Sequence, residues 1–78
     1  MRKIKLTRAN KSILLKALAL YYYRERTLGH STQEVGKLIL KIDSLPADKR
    51  VAFSTEEIRL MRTTINQLRN GQIGRAHV

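Results

Sequence analysis

Cysteine is missing from this chain of 78 residues, which excludes disulfide staples, thiolate zinc sites and cysteine nucleophiles. Tryptophan is also absent, proline occurs once and glycine four times. Gly29, Gly36, Gly71 and Gly74 are scattered, and none leads into the Gly-Lys-Ser/Thr run of a phosphate-cradling loop. Long apolar runs are lacking too. The longest, Ile13 to Tyr23, is interrupted by Lys16, whereas a bilayer crossing needs roughly 20 apolar residues. Basic residues precede that run and Ala17-Leu18-Ala19 mimics a signal-peptide cleavage site. Cleavage there would leave only Ile13 to Lys16 as the apolar region, too short for export. The expectation is therefore a cytoplasmic protein with no membrane partner.

Acidic residues are scarce. Six Asp and Glu stand against sixteen Lys and Arg, for a formal charge of +10. His30 lies four residues before Glu34, and Asp43 and Asp48 flank a proline turn. Zinc wants three or four protein ligands, and aspartates beside a proline serve as turn formers. The sequence thus implies no catalytic residue, no metal site, no cofactor and no enzyme activity.

Local patterning is more informative. Lys3 to Thr7 alternates, with Ile4 and Leu6 on one side and Lys3, Lys5 and Thr7 on the other, as in a short half-buried strand. Thr7 can cap a helix that runs to about Leu28, with Gly29 as its left-handed stop. Along it Ile13, Leu14, Ala17, Leu18, Leu20, Tyr21 and Tyr22 share a broad arc, opposite Arg8, Ser12, Lys16, Ala19, Tyr23 and Arg26. Ser31-Thr32-Gln33-Glu34 has the form of a capping box. Val35, Leu38, Ile39 and Ile42 follow at helical spacing, Lys37 and Lys41 point the other way, and Pro46 marks the end. Arg50 to Phe53 reads as a second strand and Ser54 to Glu57 as a second capping box. A third helix then carries Ile58, Met61, Ile65 and Leu68 on one face, closed by Asn70-Gly71.

The chain echoes itself. Lys-Ile-Lys-Leu-Thr at 3–7 and Arg-Val-Ala-Phe-Ser at 50–54 are each a basic strand leading into an N-cap hydroxyl and an amphipathic helix. Both strands need a neighbour, so pairing with each other is the expected solution. The fold class is α+β: a small β-α-α-β-α domain over residues 1–70, two short strands packed with three amphipathic helices. A two-stranded sheet is weak alone, so either the helices carry the stability or a homodimer extends the sheet. Residues 71–78 read as a disordered tail. Ile73-Gly74-Arg75-Ala76-His77-Val78 is the translation of the short-read sequencing adapter ATC GGA AGA GCA CAC GTC, whose next codon is a stop. On that reading the natural chain continues past Gln72, and removing Arg75 leaves +9 of the +10 charge.

The positive excess is localised. Residues 1–26 hold eight cations, Arg2, Lys3, Lys5, Arg8, Lys11, Lys16, Arg24 and Arg26, against Glu25 alone. Such a field attracts polyanions. Lys3, Lys5, Arg8, Lys16 and Arg26 are the candidate phosphate contacts, with Tyr23 among them as a base-stacking aromatic. Lys3, Lys5 and Thr7, followed by Gly29 and the capped start at Ser31 to Val35, resemble the ribbon and second helix of ribbon-helix-helix DNA-binding proteins. The resemblance covers residues 2–43 and implies a two-chain ribbon lying in a major groove. Leu6 to Gly29 is longer than that family's first helix by a turn or more, and the second strand and third helix are additions. A second candidate face is the polar side of the third helix, Arg59, Arg62, Thr63, Asn66 and Arg69. The expected function is a small, basic, non-enzymatic nucleic-acid-binding accessory protein. The alternative is a protein-interaction module, an inhibitor or adaptor of the kind mobile genetic elements often encode, docking on an acidic protein surface.

Overall fold

Two hydroxyl side chains decide where strand gives way to helix. Thr7 Oγ1 accepts from the Asn10 backbone N–H at 3.1 Å, and Ser54 Oγ accepts from the Glu57 N–H at 3.1 Å. Both cap residues are extended, and each follows closely on a four-residue strand. The computed structural model describes residues 1–71. Its elements are β1 (Arg2–Lys5), α1 (Arg8–Thr27), α2 (Gln33–Ser44), β2 (Arg50–Phe53) and α3 (Thr55–Arg69). This is the small α+β arrangement read from the sequence. Residues 72–78, and with them the adapter reading and all but the first residue of the expected tail, lie outside the described residues.

β1 and β2 pair antiparallel, with Arg2 opposite Phe53, Lys3 opposite Ala52, Ile4 opposite Val51 and Lys5 opposite Arg50. One chain supplies both strands, whereas the ribbon-helix-helix resemblance implied a ribbon built from two. Strand alternation turns Ile4, Val51 and Phe53 toward the helices and leaves Lys3, Lys5 and Arg50 on the outer face. The core gathers Leu14 and Leu18 from α1, Val35, Leu38 and Ile42 from α2, Phe53 from β2 and Met61 from α3. Each such side chain contributes roughly 1.5–3 kcal/mol on burial. Thr64 is fully buried as well, and its hydroxyl donates to the Leu60 carbonyl at 2.7 Å, so nothing polar is stranded there.

The α1–α2 turn is closed by two backbone bonds, Gly29 N–H to Arg26 O at 3.0 Å and His30 N–H to Glu25 O at 2.8 Å. This requires left-handed backbone at the residue after the cap, and Gly29 supplies it at φ 79°. The capping box expected at Ser31 does not form. The first bond of α2 runs from Gly36 N–H to the Thr32 carbonyl, one residue beyond Ser31, and no side chain caps the helix. Ser31 is consumed in the connection and stays exposed.

Two further expectations are corrected. Lys41 does not point to solvent. Its ammonium donates to the Ala52 carbonyl at 2.9 Å and to Glu57 Oε1 at 2.9 Å, and it sits 4.5 Å from the centre of the Phe53 ring. Its position three residues after Leu38 places the stem along the edge of the core, and the charged head reaches past it to partners. Ile13, expected on the buried arc of α1, is 53% exposed because β1, α1 and α3 leave a groove open beside it.

Candidate nucleic-acid interface

The alternation of β1 and the register with β2 bring Lys3, Lys5 and Arg50 onto one exposed face of the ribbon. Lys5 and Arg50 are direct cross-strand neighbours. Like charges opposite each other disfavour pairing, which makes this a place where stability is spent. Arg8 opens α1 only three residues beyond Lys5, and the chain keeps the two close. Lys16, Tyr23 and Arg26 then follow along the exposed side of α1, opposite buried Leu14, Ala17 and Leu18. From Arg8 to Arg26 the helix rises about 27 Å at 1.5 Å per residue. The candidate residues therefore form one cluster at the ribbon and the start of α1, Lys3, Lys5 and Arg8, and a second near the far end of that helix, Tyr23 and Arg26, with Lys16 midway between them.

No acid answers these cations locally. Two ion pairs exist among the described residues, His30 with Glu25 and Lys41 with Glu57, and neither involves a candidate residue. Glu25 is engaged by His30 Nδ1 at 2.9 Å. The hydrogen bond from His30 holds the Glu25 carboxyl below the usual carboxylate range, aided by Tyr21 and Arg24. Burial pushes the Tyr21 phenol up, and its contact with Glu25 adds to that. His30 thus finds its partner in Glu25 rather than in Glu34.

The three tyrosines divide as their helical phases require. Tyr21 and Tyr22 pack against the core, while Tyr23 is 74% exposed beside Arg26 and Thr27, which share a shallow depression with it. Tyr23 offers a ring face next to a cation, the arrangement that stacks an unpaired base.

Not every cation of the N-terminal segment is available. Lys11 donates to the carbonyls of Leu45 at 2.7 Å and Asp43 at 3.2 Å, holding the end of α2 against α1. Arg24 donates to Gln67 Oε1 at 2.8 Å and links α1 to α3. Arg50, absent from the candidates named from the sequence, joins the interface through its register with Lys5, and the echo of the two strands is the signal in the sequence that points to it. On α3, Arg59, Arg62, Asn66 and Arg69 are exposed, and Arg62 and Arg69 share the groove beside Ile13 rather than the outer side of α1. Compared with protein-family models, curated proteins and solved structures, the chain matches none.

Proposed function

We propose that this protein binds nucleic acid, gripping phosphates with the outer face of its ribbon and the exposed side of α1. One observation carries the reading: Lys3, Lys5, Arg50, Arg8, Lys16 and Arg26 are all exposed and outside every ion pair among the described residues. A surface that gathers six cations without a compensating carboxylate gains most from a polyanion, which releases condensed counterions as it binds. The stripe on α1, about 27 Å long, matches about eight nucleotides of one strand at 3.4 Å each. Tyr23 adds a stacking platform for a base at the far end. The role is binding, not catalysis.

The test is retention of mixed-sequence DNA and RNA as salt rises. About four simultaneous phosphate contacts give a log–log slope near −3 to −4 on duplex DNA. Binding persists at about 150 mM salt, where charges farther apart than roughly 8 Å no longer see each other. The triple variant Lys3→Glu, Lys5→Glu, Arg8→Glu loses that binding and stays folded, because these side chains face away from the core. No retention of any nucleic-acid form at that salt would remove the reading.

A further inference from the structure

The face opposite the α1 stripe carries a different chemistry. β1, the first turns of α1 and the length of α3 enclose an open groove of about 810 Å³. Among the α3 residues lining it, Ile58, Arg62, Ile65 and Arg69 are spaced four, three and four apart and form a single line along the helix, with Met61, Asn66 and Leu68 beside that line. Ile4, Leu6 and Ile13 form the facing wall. Ile58 and Ile65 are only half-buried, and Ile13 is more than half exposed, so the apolar floor lacks a cover among the described residues. Arg2, Lys3, Arg62 and Arg69 rim it, and no acidic residue lines it.

We propose that this groove docks an acidic amphipathic helix of a partner protein, about three turns long. The length follows from the line Ile58 to Arg69, roughly 16 Å at 1.5 Å per residue. The pattern follows from the wall: apolar side chains at i, i+3 or i+4, and i+7 fill the spaces between isoleucines, with carboxylates between them meeting Arg62 and Arg69. Charge selects this occupant over the others. A second copy of the chain would bring the same four cations against these four, a repulsive juxtaposition. Residues 72–78 include Arg75 and no acid, so they complement the rim no better. A phosphate backbone would satisfy the arginines and leave the apolar floor without a partner. The proposal does not depend on nucleic-acid binding, which uses the outer face of the ribbon and the exposed side of α1 and shares only Lys3, at the rim, with the groove.

The experiment uses the whole chain and a fluorescein-labelled 14-residue helical peptide, leucines at the i, i+3/i+4, i+7 positions and glutamates between them. Fluorescence anisotropy at 150 mM salt compares it with a peptide in which every glutamate is lysine. The acidic peptide should bind at least tenfold more tightly, and Ile13→Asn should weaken it tenfold or more while leaving DNA retention unchanged. Circular dichroism checks that Ile13→Asn is folded. The double variant Arg62→Glu, Arg69→Glu decides independently, because it sets two carboxylates against Arg2 and Lys3 and should abolish the wild-type preference for the acidic peptide. Equal affinity for both peptides, or an acidic peptide indifferent to the charge reversal, would overturn the proposal. So would a dimer in sedimentation that Ile13→Asn dissociates, which would give the groove to a second copy. DNA retention lost in Arg62→Glu, Arg69→Glu but kept in Lys5→Glu, Arg8→Glu would give it to nucleic acid.

Discussion

The two strand–helix units, β1 with α1 and β2 with α3, begin alike and are held very differently. In the first, Ile4 is the one β1 residue that is not exposed, Thr7 makes a single cap bond, and no acid occupies the first turn of the helix. In the second, Phe53 is completely buried and Ser54 and Glu57 complete a reciprocal box, the Ser54 N–H donating to Glu57 Oε1 at 2.8 Å. Glu56 and Glu57 complement the positive end of the α3 dipole, and Lys41 ties Glu57 to α2. Both units solve the problem of leaving a strand for a helix. Only the second also uses that junction to knit three elements together. The first leaves the cations around its junction, Lys3, Lys5 and Arg8, to solvent, and that division between a supporting and a presenting junction is the basis of the functional reading.

The widest gap between the units should appear on truncating their inward-facing strand residues. Phe53→Ala should cost about 3–5 kcal/mol, as for a fully buried aromatic. Ile4→Ala, at a half-buried site, should cost about half as much. Denaturant unfolding followed by circular dichroism measures both, and equal losses would erase the asymmetry. The caps come next. Ser54→Ala removes one arm of a two-way box and should cost about 1–2 kcal/mol, whereas Thr7→Ala should cost about 0.5–1 kcal/mol.

The element order and both strand–helix caps were legible because each rests on a local signal: alternation, an N-cap hydroxyl or a glycine stop. The strand pairing followed because each of the two strands needs a neighbour and the other is the one the pattern offers. What the sequence did not disclose depends on neighbours distant along the chain. Ser31 and Glu34 have the same spacing as Ser54 and Glu57, yet the first pair caps nothing, because the closing turn of α1 ends too close to α2. Lys41 reads as a solvent-facing lysine until β2 and α3 arrive beside it with a carbonyl and a carboxylate. Ile13 reads as core until the layers are assembled and leave its position uncovered. Of the candidate interface, the cations were identifiable individually. Their division into two clusters, and the addition of Arg50, required the register of the ribbon.

Acid sharpens the contrast further. Burial opposes ionisation of Glu57, but the Ser54 N–H and the Lys41 ammonium outweigh it, so its carboxyl titrates below the ordinary value of 4.5. A carboxyl depressed in the folded state contributes stability that is fully present above its unfolded pKa and is lost as pH falls through the folded one. Lowering pH from about 5 should therefore erode the second unit, by about 0.3–1 kcal/mol from this group. Glu57→Gln should lose that increment already at neutral pH and flatten this part of the acid response. A thermal-melt series from pH 6 to pH 3 on both proteins reads the difference, and superimposable profiles would mean the carboxylate does not hold the junction.

The smallest effect expected has the most diagnostic sign. Arg8 is the first residue of α1, where the exposed N–H groups of the helix already concentrate positive charge. A cation there is electrostatically misplaced, and Arg8 has no carboxylate partner among the described residues to offset it. The other unit places Glu56 and Glu57 at the equivalent end. Arg8→Glu should consequently raise stability, by about 0.3 kcal/mol at moderate salt, with the gain shrinking as salt screens the dipole. The same substitution should weaken nucleic-acid retention, since it reverses one of the charges nearest the ribbon. Opposite movement of stability and binding in a single variant is what a position used for contact produces. A stability loss would show that Arg8 supports the fold instead, and a gain with unchanged binding would take the start of α1 out of the interface.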